Sequence, residues 1–295
     1  MIDQAQSLRT LAGESQSSSR VDALLMEERL PRRNSRCMTL AVTSGKGGVG
    51  KTNVSINLAL LLAKLGKKVI LFDADLGLAN VNILMGLSPA FTLLDVVEGR
   101  CTLADVVMEG PGGISLIPAG SGVEKMANLD AVALGKILRD LDSLEAACDF
   151  LIFDTGAGIS RMVRAFVNAA MKQIVVVTPE PSSLADAYAA VKMILSTGNT
   201  EIGIITNMVK DEREGLETYN RLATLSRRFL GRAPLLLGSL PTDKYVKSGV
   251  SRQAPVALSH PEAPFTRSLA CIVRRLLGRP AEDRAGFFRR LMNLL

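Results

Sequence analysis

The chain has 295 residues, 47% of them hydrophobic but only 4% aromatic, with no tryptophan and a net charge of +6. That length fits one large α/β domain or two small ones, the apolar share excludes wholesale disorder, and no apolar run reaches the roughly 20 residues of a membrane span. The first 36 residues are too polar for a signal peptide, and Cys37, Cys101, Cys148 and Cys271 form no C-x-x-C, which argues against zinc and cluster sites and for reduced thiols in a cytosol.

In chain order, residues 1–36 read as a flexible appended segment. Ser15, Ser17, Ser18 and Ser19 mark a loose stretch, and Arg32, Arg33 and Arg36 precede the first apolar run. From Cys37 onward, short apolar runs alternate with helical patterns. Strands are predicted at 38–43, 68–72, 114–117, 150–153, 173–178, 201–206 and 235–237. Strands alternating with helices imply an α/β fold: a mostly parallel twisted sheet of about seven or eight strands with helices on both faces, spanning 37–278. Ligands of such sheets gather beyond the carboxyl ends of the strands, and the polar motifs of this chain sit at those ends.

The first motif is Gly45-Lys46-Gly47-Gly48-Val49-Gly50-Lys51-Thr52, between the predicted strand 38–43 and a predicted helix from Thr52 to about Leu65. It fills the phosphate-loop pattern G-x-x-x-x-G-K-[ST] in its required strand–turn–helix context. Glycines let backbone N–H groups converge on phosphate oxygens, and the helix start adds unpaired donors. In this pattern Lys51 reaches the β- and γ-phosphates and Thr52 ligates Mg2+. The strand at 68–72 then runs into Asp73-Ala74-Asp75, which sends two carboxylates out together. The strand at 150–153 ends in Asp154-Thr155-Gly156-Ala157-Gly158, the arrangement of a Walker B aspartate. The single histidine, His260, lies in the stretch Pro255–Pro261 and reads as a loop residue rather than a catalytic one.

Past Gly278-Arg279-Pro280 the chain closes on an amphipathic pattern. Phe287, Phe288, Leu291, Met292, Leu294 and Leu295 fall within an arc of roughly 160°, with Arg289, Arg290 and Asn293 opposite or on the flanks. This is the pattern of a helix lying in a membrane interface. Six large apolar side chains give a gross gain of order 10 kcal/mol before ordering costs, so one copy binds weakly and two bind by avidity. Charge agrees. Residues 221–295 hold 14 Lys/Arg against 4 Asp/Glu, a surplus of 10, while the preceding 220 residues sum to −4. A basic last quarter points to an anionic partner, either a lipid surface, nucleic acid or an acidic protein. Residues 279–295 are therefore predicted to be a membrane-binding helix, or a helix packed on the protein's own core.

Lys46 makes the phosphate loop more specific. Lys46-Gly47-Gly48-Val49-Gly50-Lys51-Thr52 resembles the variant loop K-G-G-x-G-K-[ST] of the MinD/ParA/NifH/ArsA class. The resemblance implies a homodimeric ATPase that sandwiches two ATP, with Mg2+, between its subunits. Lys46 would reach across to the partner's nucleotide. The segment from Asp73 would be switch I, with Asp75 orienting the attacking water and Asp73 supporting the site or Mg2+. Asp154 would hold Mg2+, with Gly156 and Gly158 giving switch II a mobile backbone. Asn207, at the end of strand 201–206, would lie against adenine. Pro241 and Asp243, in a loop similar to the family's P-x-D, would flank the other side of the base. Phosphoryl transfer needs positioning and charge more than a strong base, so Lys46, Lys51 and Asp75 suffice as its catalytic groups.

The chain's start resembles one branch of that class. Asp3-Gln4-Ala5-Gln6-Ser7-Leu8-Arg9 is similar to the D-Q-A-x-x-L-R opening of the FlhG (FleN, YlxH) family, MinD relatives that control flagellar number and placement. The phrase from Asp75 to Val81 resembles it too. The resemblance implies that Asp3, Gln4, Ala5, Leu8 and Arg9 contact and activate an FlhF-type GTPase. It also implies flagellar C-ring components and, in some members, a flagellar transcription activator as partners. The protein would be cytoplasmic, and peripheral on the inner face of the cell membrane when ATP-bound. Direct nucleic-acid binding is not expected. A division-site MinD, a ParA-type DNA-partitioning ATPase and a scaffold holding structural nucleotide are the alternatives.

Overall fold

A computed structural model describes residues 37–75, 79–120, 144, 147–196 and 201–278. The proposed partner residues Asp3–Arg9 and membrane residues Phe287–Leu295 lie outside them.

Strand β1 (Met38–Ser44) leads through the glycine loop into α1 (Lys51–Lys64) and β2 (Val69–Ala74). Short helices α2 (Val81–Leu84), α3 (Leu93–Val97) and α4 (Leu103–Val106) follow, then β3 (Met108–Glu109) and β4 (Ser115–Ile117). Next come β5 (Phe150–Ala157), α5 (Arg161–Ala169), β6 (Lys172–Val177), α6 (Pro181–Ser196), β7 (Glu201–Val209), α7 (Glu212–Leu230) and β8 (Leu235–Pro241). Helices α8 (Lys244–Ser251), α9 (Val256–Ser259) and α10 (Pro264–Leu276) complete the described chain. The strands form one eight-stranded sheet in the order β3-β4-β2-β5-β1-β6-β7-β8. Its pairings are parallel except β3 with β4.

All seven predicted strands are present. The eighth, β3, is a two-residue antiparallel edge, too short to show an alternating pattern. Several strands outrun their predicted ends. Backbone pairing continues past the apolar run, with Val42 and Asp73 both in register with Asp154, and Ala74 with Thr155. Asp73 and Asp154 therefore lie inside their strands rather than beyond them, in register with their neighbours, and Asn207 falls within β7 where its pairing with β8 is irregular, between Thr206 and Val209.

The sheet buries a layer on each face. On one face Phe72, Phe153 and Phe166 pack with ring centroids 5.2–5.6 Å apart among side chains of α5 and α6. On the other, α1 is buried almost all round, from Val54 through Leu62, between the sheet and α10. This explains why its sequence is apolar on every side instead of amphipathic. The helix that carries Lys51 and Thr52 is thereby held rigidly beneath the site.

Candidate active site

The strand order sets the ends of β2, β5 and β1 side by side, and the loop Gly45–Thr52, leaving β1, reaches Asn207 of β7 through the Val49 carbonyl and Asp154 of β5 through Lys51. Two of its glycines are required by packing. A Cβ at Gly45 would collide with the backbone of Asp186 on α6. Gly50 has φ 84°, and a Cβ there would come within 2.5 Å of Asn207 Nδ2. The loop can therefore sit this low only with glycine at both points. An added Cβ at Gly47 or Gly48 meets nothing within 4 Å, so the loop's outer side is open.

Lys51, 7% exposed, donates to Asp154 Oδ1 at 3.0 Å, and its Nζ is 3.5 Å from the Thr52 hydroxyl. Asp154 is fully buried. Its Oδ1 also accepts the Ser55 hydroxyl at 2.7 Å, while Oδ2 has no hydrogen-bond partner among the described residues. A buried carboxylate oxygen left unsatisfied is costly. Together with the Thr52 hydroxyl, which lies within reach of the same Lys51 ammonium, it suits a hard cation that takes oxygen ligands. Thr52 and Asp154 thus fit Mg2+.

Asp73 is also fully buried, and its carboxylate organises the segment after β2. Oδ1 accepts the Asp75 N–H, and Oδ2 accepts those of Asn80 and Val81 at the start of α2, each at 3.1 Å. Asp75 is thereby turned toward β5, where a Cβ added to Gly156 would stand 3.3 Å from its Oδ1. Burial, and then Asp154 across the strand pair, push the Asp73 carboxyl from 3.8 up to about 7, against the N–H groups of Val81 and Asp75 and the charge of Lys51. A carboxyl raised in this way binds its proton more tightly folded than unfolded. Its stabilising contribution is complete below pH 3.8 and is lost as the pH climbs through about 7. Unfolding of the nucleotide-free protein should therefore show a component of stability that falls across that window. Asp73→Asn should flatten it, and denaturant melts at several pH values check this. Identical pH slopes for the two proteins would remove the buried-proton account.

Lys46 points elsewhere. Its Nζ donates to Glu180 Oε2 at 2.7 Å and to the Ser182 hydroxyl at 2.9 Å, at the junction of β6 and α6, and its side chain is 39% exposed. The Ser44 hydroxyl donates to the Lys46 carbonyl at 2.9 Å and fixes the backbone there. Asn207 Nδ2 donates to the Val49 carbonyl at 2.7 Å, which ties the end of β7 to the loop. Pro241 closes β8, in register with Val209. Asp243 is committed to two helix starts. Its Oδ1 accepts the Tyr245 N–H in α8 at 2.9 Å and its Oδ2 the Phe265 N–H in α10 at 3.1 Å. Its carboxylate therefore shapes the Pro241–Asp243 loop rather than projecting from it.

Sequence reasoning missed Ser55, Glu180 and Ser182. Ser55 was detectable as a hydroxyl four residues after Lys51 in an otherwise apolar helix. Glu180 stands just past a strand end, as Asp75 does, but no motif singles it out.

Comparison with known proteins places this site in a family. A model of the ParA family, described as "NUBPL iron-transfer P-loop NTPase", matches residues 37–277. The chain is 42% identical over 238 residues to "Antiactivator FleN" of Pseudomonas aeruginosa, covering 80% of this chain and 85% of that protein. It is 36% identical over 265 residues to "Flagellum site-determining protein YlxH" of Helicobacter pylori, covering 87% and 90%. Among solved structures, the septum site-determining protein MinD of Pyrococcus horikoshii, complexed with Mg-ADP, superposes with a TM-score of 0.70 at 25% identity, covering 85% of this chain and 98% of that one. By its phosphate loop, its strand-end carboxylates and this extent of similarity, the chain belongs to the ParA/MinD family of P-loop ATPases, which use ATP with Mg2+, and within it to the FleN/YlxH (FlhG) group.

Proposed function

We propose that the chain is an ATP-dependent dimerising switch that regulates flagellar number and placement from the inner face of the cell membrane. The observation that carries the dimer is the direction of Lys46. A lysine within the phosphate loop that turns away from its own loop, to the exposed edge at Glu180, is available to a second subunit's nucleotide. Similarity to proteins named for antiactivation and for determining the flagellum site supports the biological output.

In this reading ATP with Mg2+ supplies the phosphoryl group and much of its counter-charge. Thr52 and Asp154 would hold the metal, Lys51 would turn from Asp154 to the phosphates, and Asp73 would brace the Asp75 segment. Asp75 orients the attacking water opposite Gly156. Asn207 and the Pro241–Asp243 loop flank the base. Residues 1–36 form the partner-activating segment, with Asp3, Gln4, Ala5, Leu8 and Arg9 contacting an FlhF-type GTPase. Residues 37–278 form the ATPase, and 279–295 the membrane helix. C-ring components and a flagellar transcription activator are the further partners. No described helix is long and apolar enough to cross a membrane. In this reading attachment is through the apolar arc of Phe287, Phe288, Leu291, Met292 and Leu295.

A peptide of residues 1–20 tests the flagellar reading against a division-site MinD. It should stimulate GTP turnover by an FlhF-type dimer, and Gln4→Ala or Arg9→Ala should remove the effect. An inert wild-type peptide on intact partner dimers favours the division-site alternative. Attachment is tested separately. Deleting residues 282–295 should abolish co-sedimentation with anionic liposomes while sparing ATP-driven dimerisation, and Phe288→Glu, which puts charge near the middle of the apolar arc, should nearly match it. Binding to DNA rather than liposomes in the same assay would favour a ParA-type partitioning role.

A further inference from the structure

Ser55 has no role in the reading so far, yet it is fully buried in α1, among the apolar side chains from Val54 to Leu62. A hydroxyl there is destabilising unless it is hydrogen-bonded. It has two acceptors in reach, the Lys51 carbonyl at 3.2 Å and Asp154 Oδ1 at 2.7 Å. It has one proton to give, and the shorter, charged acceptor takes it. Asp154 Oδ1 is thus held by two donors, Lys51 and Ser55, while Oδ2 is left without a partner. The two donors differ in kind. Lys51 has a flexible four-carbon stem, and the nucleotide-bound state calls it to the phosphates. Ser55 is fixed to α1, three residues beyond Thr52 and on the same face of the helix.

We propose that Ser55 is a positioning residue for the metal site. Its hydroxyl fixes the rotation of the Asp154 carboxylate, so that Oδ2 stays turned toward the cation after Lys51 has left Oδ1. Helix α1 then carries both the threonine ligand and the anchor of the carboxylate ligand, and sets their spacing. The proposal rests on the reading that Asp154 holds Mg2+.

The test is equilibrium binding of a fluorescent ADP analogue to the full chain, with Mg2+ titrated from a chelated start. Ser55→Ala should raise the Mg2+ concentration at half-effect about tenfold, the size of one lost charge-assisted hydrogen bond. Metal-free nucleotide affinity should stay within about twofold. Ser55→Cys, nearly the same size but a weak donor, should behave like alanine, and Ser55→Thr, which keeps the hydroxyl, should bring the midpoint back toward wild type. A purely structural role would lower the melting temperature without moving the Mg2+ midpoint. Unmoved midpoints in Ser55→Ala and Ser55→Cys, beside a shifted one in Asp154→Ala, overturn the proposal. An unmoved midpoint in Asp154→Ala itself overturns the metal reading beneath it.

Discussion

Asp75→Ala is expected to bind ATP, accumulate as the dimer and hydrolyse at least about tenfold more slowly, a barrier increase of roughly 1.4 kcal/mol. The expectation follows from what the side chain does and does not support. The loop at Asp75 is held through its backbone N–H, which donates to Asp73 Oδ1, and alanine keeps that bond. The groups proposed to cradle phosphate and metal, Lys51, Thr52 and Asp154, sit on β5 and α1 and keep their partners. What disappears is a half-buried carboxylate facing Gly156, near the end of β5. Affinity should therefore survive while turnover falls. Phosphate release and light scattering with ATP, each compared with ADP, measure the two effects. Unchanged turnover would reduce Asp75 to a structural residue.

The parts of this site that were legible in the sequence are local ones. A phosphate loop is eight consecutive residues whose glycines answer to backbone geometry, and the strand before it and helix after it follow from apolar runs on either side. Asp73, Asp75 and Asp154 stood out because a charge at the end of an apolar run needs a reason to be there. The less legible parts involve contacts between distant segments. Ser55 meets Asp154 across 99 residues of chain, Lys46 meets Glu180 across 134, and Asn207 meets Val49 across 158. No periodicity or spacing encodes such pairs. Strand ends escaped for a related reason. A polar residue stays in a strand when neighbouring strands on both sides continue the ladder, as they do around Asp154. Asp243 shows the converse. Its motif was visible, but its two bonds, to Tyr245 and to Phe265 at 22 residues' remove, give it a bracing role that a motif does not display.

Lys46→Ala should keep ATP binding and yet remain monomeric and inactive. In the single chain the Lys46 ammonium makes no contact with Lys51, Thr52 or Asp154, and its described bonds go to Glu180 and Ser182 at the rim. Removing it therefore leaves the chain's own cradle intact. The ion pair with Glu180 is exposed, with side chains 39% and 64% accessible, so it adds little to stability and gives way readily to a stronger anion. A triphosphate presented by a second subunit is such an anion, with several charges in a site from which water is being excluded. Alanine forfeits that contact at both nucleotides of a symmetric dimer, which is why the loss should appear in assembly rather than in nucleotide entry. Glu180→Gln, by contrast, weakens only the competing intrachain bond, and should shift the monomer–dimer balance modestly toward the dimer. Light scattering of each variant with ATP, alongside equilibrium nucleotide binding, tests both. An ATP-bound dimer of Lys46→Ala equal to wild type would mean that the lysine does not cross the interface, and that its bond to Glu180 is its whole role.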